Sequence, residues 1–357
     1  MNGIYIHIPY CVKKCGYCDF YSICDMSSAD RYVDAVCQRL SQINAPSDTL
    51  YIGGGTPSLI GGERLAKIID CAKPILVDDS EITVEVNPGD DMQSLLPVLA
   101  QAGVNRLSIG MQSHCDAELK LLTRRHNAAD VEEAISIAKS CGINNISLDV
   151  MFGIEGQTIE SLKSTLDFCA TSGVSHVSAY MLKIENGTPF EKASFRPIDD
   201  LQADMYMFAV AHLKSLGYEQ YEISNFSLPG KQSRHNLKYW ICEPYIGIGA
   251  AAHSYYNGRR SYYPRSVEDF INGKPSIDDG QGGGFEERVM LGLRLTEGID
   301  VKQLTELYPS EEQRVNDMLD KVAKLVDQGL VTIYNNRIAL TTKGFLVSNG
   351  IINLLLE

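Results

Sequence analysis

Short runs of apolar and β-branched residues alternate with longer stretches of helical periodicity over roughly the first 185 residues. The runs predict strands at Gly3–Ile8, Thr49–Ile52, Glu81–Val86, Arg106–Ile109, Asn145–Val150 and His176–Ala179, each followed by a turn and a helix. Helix signals fall between them. Ser27–Leu40 opens on Ser and Asp, Thr158–Ala170 opens on a Thr-x-Glu pattern with an acidic first turn, and Gly103, Gly142 and Gly173 stand where helices should close. Six strand–helix units in series predict an α/β fold with a parallel sheet, because parallel strands need long crossovers and these are usually helical. Glycines, carboxylates and amides follow nearly every strand. That pattern suits a barrel whose site gathers loops from all the strand ends, so a partial (β/α)6 TIM-like barrel is expected over residues 1–185.

Beyond residue 185 the pattern changes. Asn186–Phe195 is a polar connection, Asp200–Leu216 has helical periodicity, and Tyr218–Tyr263 is dense in tyrosine, glycine and histidine. Residues 186–279 are therefore expected to complete the barrel. Residues 280–357 read as a small helical, winged-helix-like domain, with helices at Phe285–Leu295, Val301–Leu307 and Ser310–Gln328 and a hairpin turning at Asn335–Asn336. The glycine-rich stretch at 280–284 is expected to be a flexible boundary.

Length and charge narrow the function classes. A chain of 357 residues has no shortage of core, and no apolar run approaches the ~20 residues that span a bilayer. The start, MNGIYIHIPYC, lacks the basic and apolar regions of a secretory signal, so a cytoplasmic location is expected. A formal net charge of −13 disfavours general attraction to nucleic acid. Seven of the ten cysteines are scattered and are expected to be free thiols acting as small buried hydrophobes.

The other three cysteines, Cys11, Cys15 and Cys18, sit on one short loop directly after the first strand. Three thiolates so placed can curl round a [4Fe–4S] cubane and leave one iron open to a small chelating molecule. A zinc site, with a fourth ligand from elsewhere, and a purely structural cluster are the alternatives. Cys-x3-Cys-x2-Cys at this place resembles the radical S-adenosylmethionine (SAM) superfamily, and the flanking YIHIPYCVKKCGYCDFYS resembles its coproporphyrinogen oxidase-like subgroup. Further matches follow in order along the chain: Gly53-Gly54-Gly55-Thr56-Pro57, Glu85-Val-Asn-Pro88, Ser108-Ile-Gly-Met-Gln112-Ser, Leu122-Thr-Arg124-Arg-His126 and Asp149-Val-Met-Phe-Gly153. The resemblance implies a [4Fe–4S] cluster on Cys11, Cys15 and Cys18. It also implies SAM held by Tyr5, Tyr17, Gly54, Gly55, Thr56, Glu85, Gln112, Arg124 and Asp149. The glycines would let backbone approach the methionine part of SAM without a Cβ in the way.

Within that subgroup two branches compete. One is the oxygen-independent coproporphyrinogen III oxidase, an enzyme; the other is the HemW type, a heme chaperone that keeps the radical SAM framework and passes heme to an acceptor protein. Oxidases of the subgroup have a further cysteine two positions after the third ligand, where this chain has Phe20, and a long extension ahead of the cysteine loop. Arg234-His235-Asn236-Leu237-Lys238-Tyr239-Trp240 contains the HNxxYW pattern of the HemW type, with His235 as the candidate heme ligand. A structural His-Asn turn under aromatic residues is the other account of it. His253 is a second heme candidate, and His7, in an apolar strand, is expected to be a satisfied core histidine. An electron donor such as flavodoxin or ferredoxin is the further partner the resemblance implies.

Overall fold

The computed structural model describes all residues, 1–357. Six strands run parallel in sequence order: β1 (Asn2–Ile8), β2 (Ser47–Gly54), β3 (Leu76–Val86), β4 (Arg106–Gln112), β5 (Asn145–Phe152) and β6 (His176–Met181). Each lies on an expected run and extends it by a few residues. Their side chains alternate. Ile4, Ile6, Ile8, Leu50, Ile52, Val84, Leu107, Ile109, Leu148, Val150 and Val177 pack with the surrounding helices in one large core, while the intervening positions carry Tyr5, His7, Thr49, Tyr51, Thr83, Glu85, Arg106, Ser108, Ser147, Asp149, His176 and Ser178. Parallel strands buried on both faces usually read as continuous apolar runs; here the inner face is polar, so period-2 alternation survives.

The helices start as their caps dictate. Thr158 accepts a hydrogen bond from the Ser161 amide at 3.2 Å, Asn127 and Asp130 form a reciprocal capping box, and Gly103 closes its helix at φ +105°.

Residues 186–279 extend the sheet at both edges and leave it open. β7 (Glu219–Gln220) and β8 (Asn225–Ser227) add antiparallel to β6. On the other side β9 (Tyr245–Ile248) pairs parallel with β1, followed outward by β10 (His253–Tyr256), β11 (Arg259–Tyr262) and β12 (Ile277–Gln281). The tyrosine-dense stretch therefore supplies five short strands and one helix, with tyrosines such as Tyr245 and Tyr255 clasping the Arg260 guanidinium.

The C-terminal module has the expected helices and a three-stranded antiparallel sheet of β13 (Ile299–Asp300), β14 (Val331–Tyr334) and β15 (Arg337–Leu340). Asn335 and Asn336 turn its hairpin at φ +46° and +63°. Two further helices, Thr342–Leu346 and Ser348–Leu356, end the chain. The glycine stretch before this module is pinned, not loose: Gly282 donates to the Gly258 carbonyl at 3.0 Å and Gly283 donates to the Glu287 carboxylate. The module shares the barrel's apolar core, through residues such as Phe285, Val289, Met318 and Leu355. All ten cysteines are free thiols, but of the scattered seven only Cys169 and Cys242 are fully buried and Cys24 is exposed.

Candidate functional site

The carboxyl ends of β1 to β6 surround one cavity of about 380 Å³. Its wall includes Cys11, Cys15, Cys18, Tyr17, Gly54, Gly55, Thr56, Glu85, Gln112, Arg124 and Asp149, so residues from six separate sequence motifs meet in one place. Tyr5 and His235 are not among them.

The cysteine loop is tied down from two sides. The Gly16 amide donates to Thr123 Oγ1 at 2.9 Å, and Phe190 covers Gly16, whose carbonyl accepts from the Phe190 amide at 2.9 Å. A Cβ on Gly16 would meet the Phe190 ring at 2.1 Å, so any larger residue there would push that ring off the loop. Cys11 Sγ lies 3.4 Å from Thr56 Oγ1, and Arg124 Nη1 reaches Cys15 Sγ at 3.6 Å and Tyr17 Oη at 3.4 Å. Arg124 is itself anchored by Nη2 donating to the Gly110 carbonyl at 2.7 Å, while its Nε has no protein partner.

Glu85 sits centrally. It accepts from Tyr51 Oη at 2.8 Å and from the Gly54 amide at 3.0 Å, yet burial pushes its carboxyl up to about 7. Asp149 accepts from Ser108 Oγ at 3.2 Å and burial raises it to about 6. Gln112 closes β4 at φ +70°, where the β4–β5 register shifts; a non-glycine residue held in the left-handed region at a cavity wall is the strained geometry typical of functional sites.

The glycines are also required by packing within the protein. A Cβ on Gly53 would meet the Glu85 carboxylate at 2.8 Å, one on Gly54 the His7 ring at 2.6 Å, and one on Gly55 the Tyr10 carbonyl at 2.7 Å. Their amides are also spent within the protein: Gly54 on Glu85, Gly55 on the Ile8 carbonyl and Thr56 on the Tyr10 carbonyl. Close packing of protein on protein by itself demands glycine here.

Two expectations are corrected. His235 is fully buried beneath the cavity, stacked on Tyr51, with Nδ1 2.8 Å from Thr49 Oγ1 and Nε2 2.8 Å from Tyr239 Oη. Both ring nitrogens are occupied, and burial lowers its pKa to about 3, so it is a packing imidazole and not an open axial ligand. Its helix, Arg234–Trp240, plugs the amino end of the barrel, with the Arg234 and His235 amides donating to Glu81 at 3.1 Å each. Tyr5 donates toward His7 Nδ1 at 2.9 Å and lies below the cavity wall. His7 is a satisfied core histidine, its Nε2 paired with the Tyr21 carbonyl at 2.9 Å. His253 is exposed and stacks on Tyr262, away from the cavity.

The structure adds residues that the motifs did not single out. Arg106 lines the cavity, 1% exposed, with Nε and Nη1 lacking any protein partner. Asn236, of the HNxxYW stretch, reaches the same wall, as do Tyr51, Asn87, Ser178 and Tyr180. The available signal was the polar alternation of the strands, above all Arg106, Ser108, Gly110 and Gln112 on β4.

Comparison with known proteins places this geometry. Residues 5–169 match the Radical SAM superfamily, and residues 285–347 match the HemN C-terminal domain. The heme chaperone HemW of Bacillus subtilis (strain 168) is 35% identical over 374 residues, covering 98% of both chains. The chain belongs to the HemW family. The heme chaperone HemW of Escherichia coli (strain K12) is 37% identical over 287 residues, 76% of each chain. The solved coproporphyrinogen III oxidase HemN of Escherichia coli superposes with a TM-score of 0.82 over 99% of this chain and 89% of that one, at 20% identity, a likeness of fold. No helix is long and apolar enough to cross a membrane.

The radical SAM framework that HemW proteins share implies a [4Fe–4S] cluster and SAM. The cavity fits both. Its three thiols share one wall without converging on the single point that one metal ion needs, and the unpartnered Nε of Arg124 is a buried donor suited to an anionic group.

Proposed function

We propose that the protein is a heme chaperone: it binds heme and hands it to an acceptor protein, with a [4Fe–4S] cluster on Cys11, Cys15 and Cys18 and SAM in the barrel cavity. The observation that carries this reading is similarity to HemW heme chaperones over 98% of the chain, joined to Phe20 where the oxidases place a further cysteine.

Within the cavity each side chain has a task. Cys11, Cys15 and Cys18 would hold the cluster as thiolates, and the cluster would supply an electron to SAM. Arg124, its fork fixed on the Gly110 carbonyl, lies against Cys15 Sγ and places positive charge beside the thiolate, where it would also pair with the carboxylate of SAM. Glu85 and Asp149 present carboxylates to the ribose hydroxyls and the cationic groups of SAM; binding a cation draws both toward the ionised form. Gln112 offers an amide held rigid by its backbone, Tyr17 a ring against one side, and Gly54, Gly55 and Thr56 a backbone wall. The chaperone works in the cytoplasm, and an electron donor such as flavodoxin or ferredoxin serves the cluster.

The fold of HemN keeps the oxidase as the competing reading. Reconstituted protein, held anaerobically with SAM, reductant and coproporphyrinogen III, is expected to release no protoporphyrinogen beyond stoichiometric background. Catalytic turnover in that assay would overturn the chaperone reading.

A further inference from the structure

The cysteine loop has an outer side that cluster and SAM binding do not explain. Val12 and Phe20 are 51% and 63% exposed, and both border the mouth of the cavity. Two large apolar side chains presented to water beside an open cavity mark a contact surface when they fall together. Between them on the same loop stand Lys13 and Lys14, both exposed and both on the cavity rim. Lys67, Lys73, Lys163 and Lys238 each pair with a carboxylate, whereas Lys13 and Lys14 pair with none. Asp19 is the one acidic residue on the loop, so the rim keeps a positive charge on a chain whose formal net charge is −13. Arg125, also at the rim, is held by Asp90 at 2.8 Å.

A flat apolar ring with two carboxylates on one edge matches that combination, and heme is such a molecule. With the cluster on the cysteine loop and SAM against Glu85, Arg124 and Asp149, the interior of the cavity is taken and the mouth is left for a porphyrin. We propose that heme docks across the mouth of the barrel, its ring against Phe20 and Val12 and its two propionates on Lys13 and Lys14. The placement rests on the heme chaperone reading and gives Phe20 a task. In this position heme covers the cluster loop, so loading with heme and access of reductant to the cluster are coupled.

The test is a heme titration, followed by the Soret band, of cluster-loaded wild type, Phe20→Ser and the double variant Lys13→Glu/Lys14→Glu. All three side chains are exposed, so iron content and the broad iron–sulfur absorbance should match wild type. Phe20→Ser should weaken heme about tenfold or more, as expected from removing one aromatic contact. The double variant should weaken heme by a similar factor and leave the affinity for heme dimethyl ester, which lacks the carboxylates, unchanged. Wild type and both variants binding heme alike would overturn the placement alone, and would leave the lysines to an acidic protein partner. Wild type taking up no heme would overturn the chaperone reading and the placement with it.

Discussion

Truncating His235 to alanine separates packing from ligation. The imidazole is fully buried, lies 5.3 Å from the Tyr51 ring centroid, and holds Thr49 and Tyr239 through contacts of 2.8 Å each. Losing two hydrogen bonds costs about 2 kcal/mol, and the cavity left by a ring costs a further ~2 kcal/mol, for a total of about 3–5 kcal/mol. With a guanidinium dependence of about 5 kcal/mol per M, the unfolding midpoint should fall by ~0.6–1 M. Heme bound per folded chain, measured well below that midpoint, should stay at the wild-type value. A variant with an unchanged midpoint that has lost its heme would refute the reasoning, because only ligation would then explain His235.

Replacing Cys11, Cys15 and Cys18 together by alanine should abolish the broad iron–sulfur absorbance after anaerobic reconstitution; full iron content would rule out the ligand assignment. Arg124→Met should weaken SAM binding by about tenfold to a hundredfold, read by equilibrium dialysis on cluster-loaded protein, since a charge-assisted contact is worth about 1.5–3 kcal/mol. Unaltered SAM affinity would remove Arg124 from the site. Glu85 has a folded pKa raised from 4.5 to about 7, so its contribution to stability is complete below pH 4.5 and is lost as the pH rises through about 7. Glu85→Gln removes that titration, and the stability of the variant relative to wild type should improve by about 1–3 kcal/mol between those pH values. Parallel pH profiles from chemical denaturation would contradict the burial argument.

The six strands were legible because apolar and β-branched side chains mark them, and the helices because Thr158 and the closing glycines mark their ends. The site was legible where its residues sit in dense motifs: eleven of the thirteen residues named from the sequence line the one cavity. Tyr5 and His235 failed for one reason. Motif membership tells that a residue is needed and not what it touches: Tyr5 turns to His7 below the cavity wall, and His235 to Thr49, 186 positions away. The short edge strands β7 to β12 were not legible because two to five residues among tyrosines and glycines carry no period. Arg106 was hidden for a related reason. A charged residue at a strand start reads as surface until the sheet curls and turns it inward.

The most direct test of the central claim is the heme stoichiometry of the wild-type protein, reconstituted anaerobically with iron and sulfide and titrated with heme under the Soret band. Saturation at about one heme per chain, with the iron–sulfur absorbance retained, is the predicted result. No saturable uptake by cluster-loaded protein would contradict it.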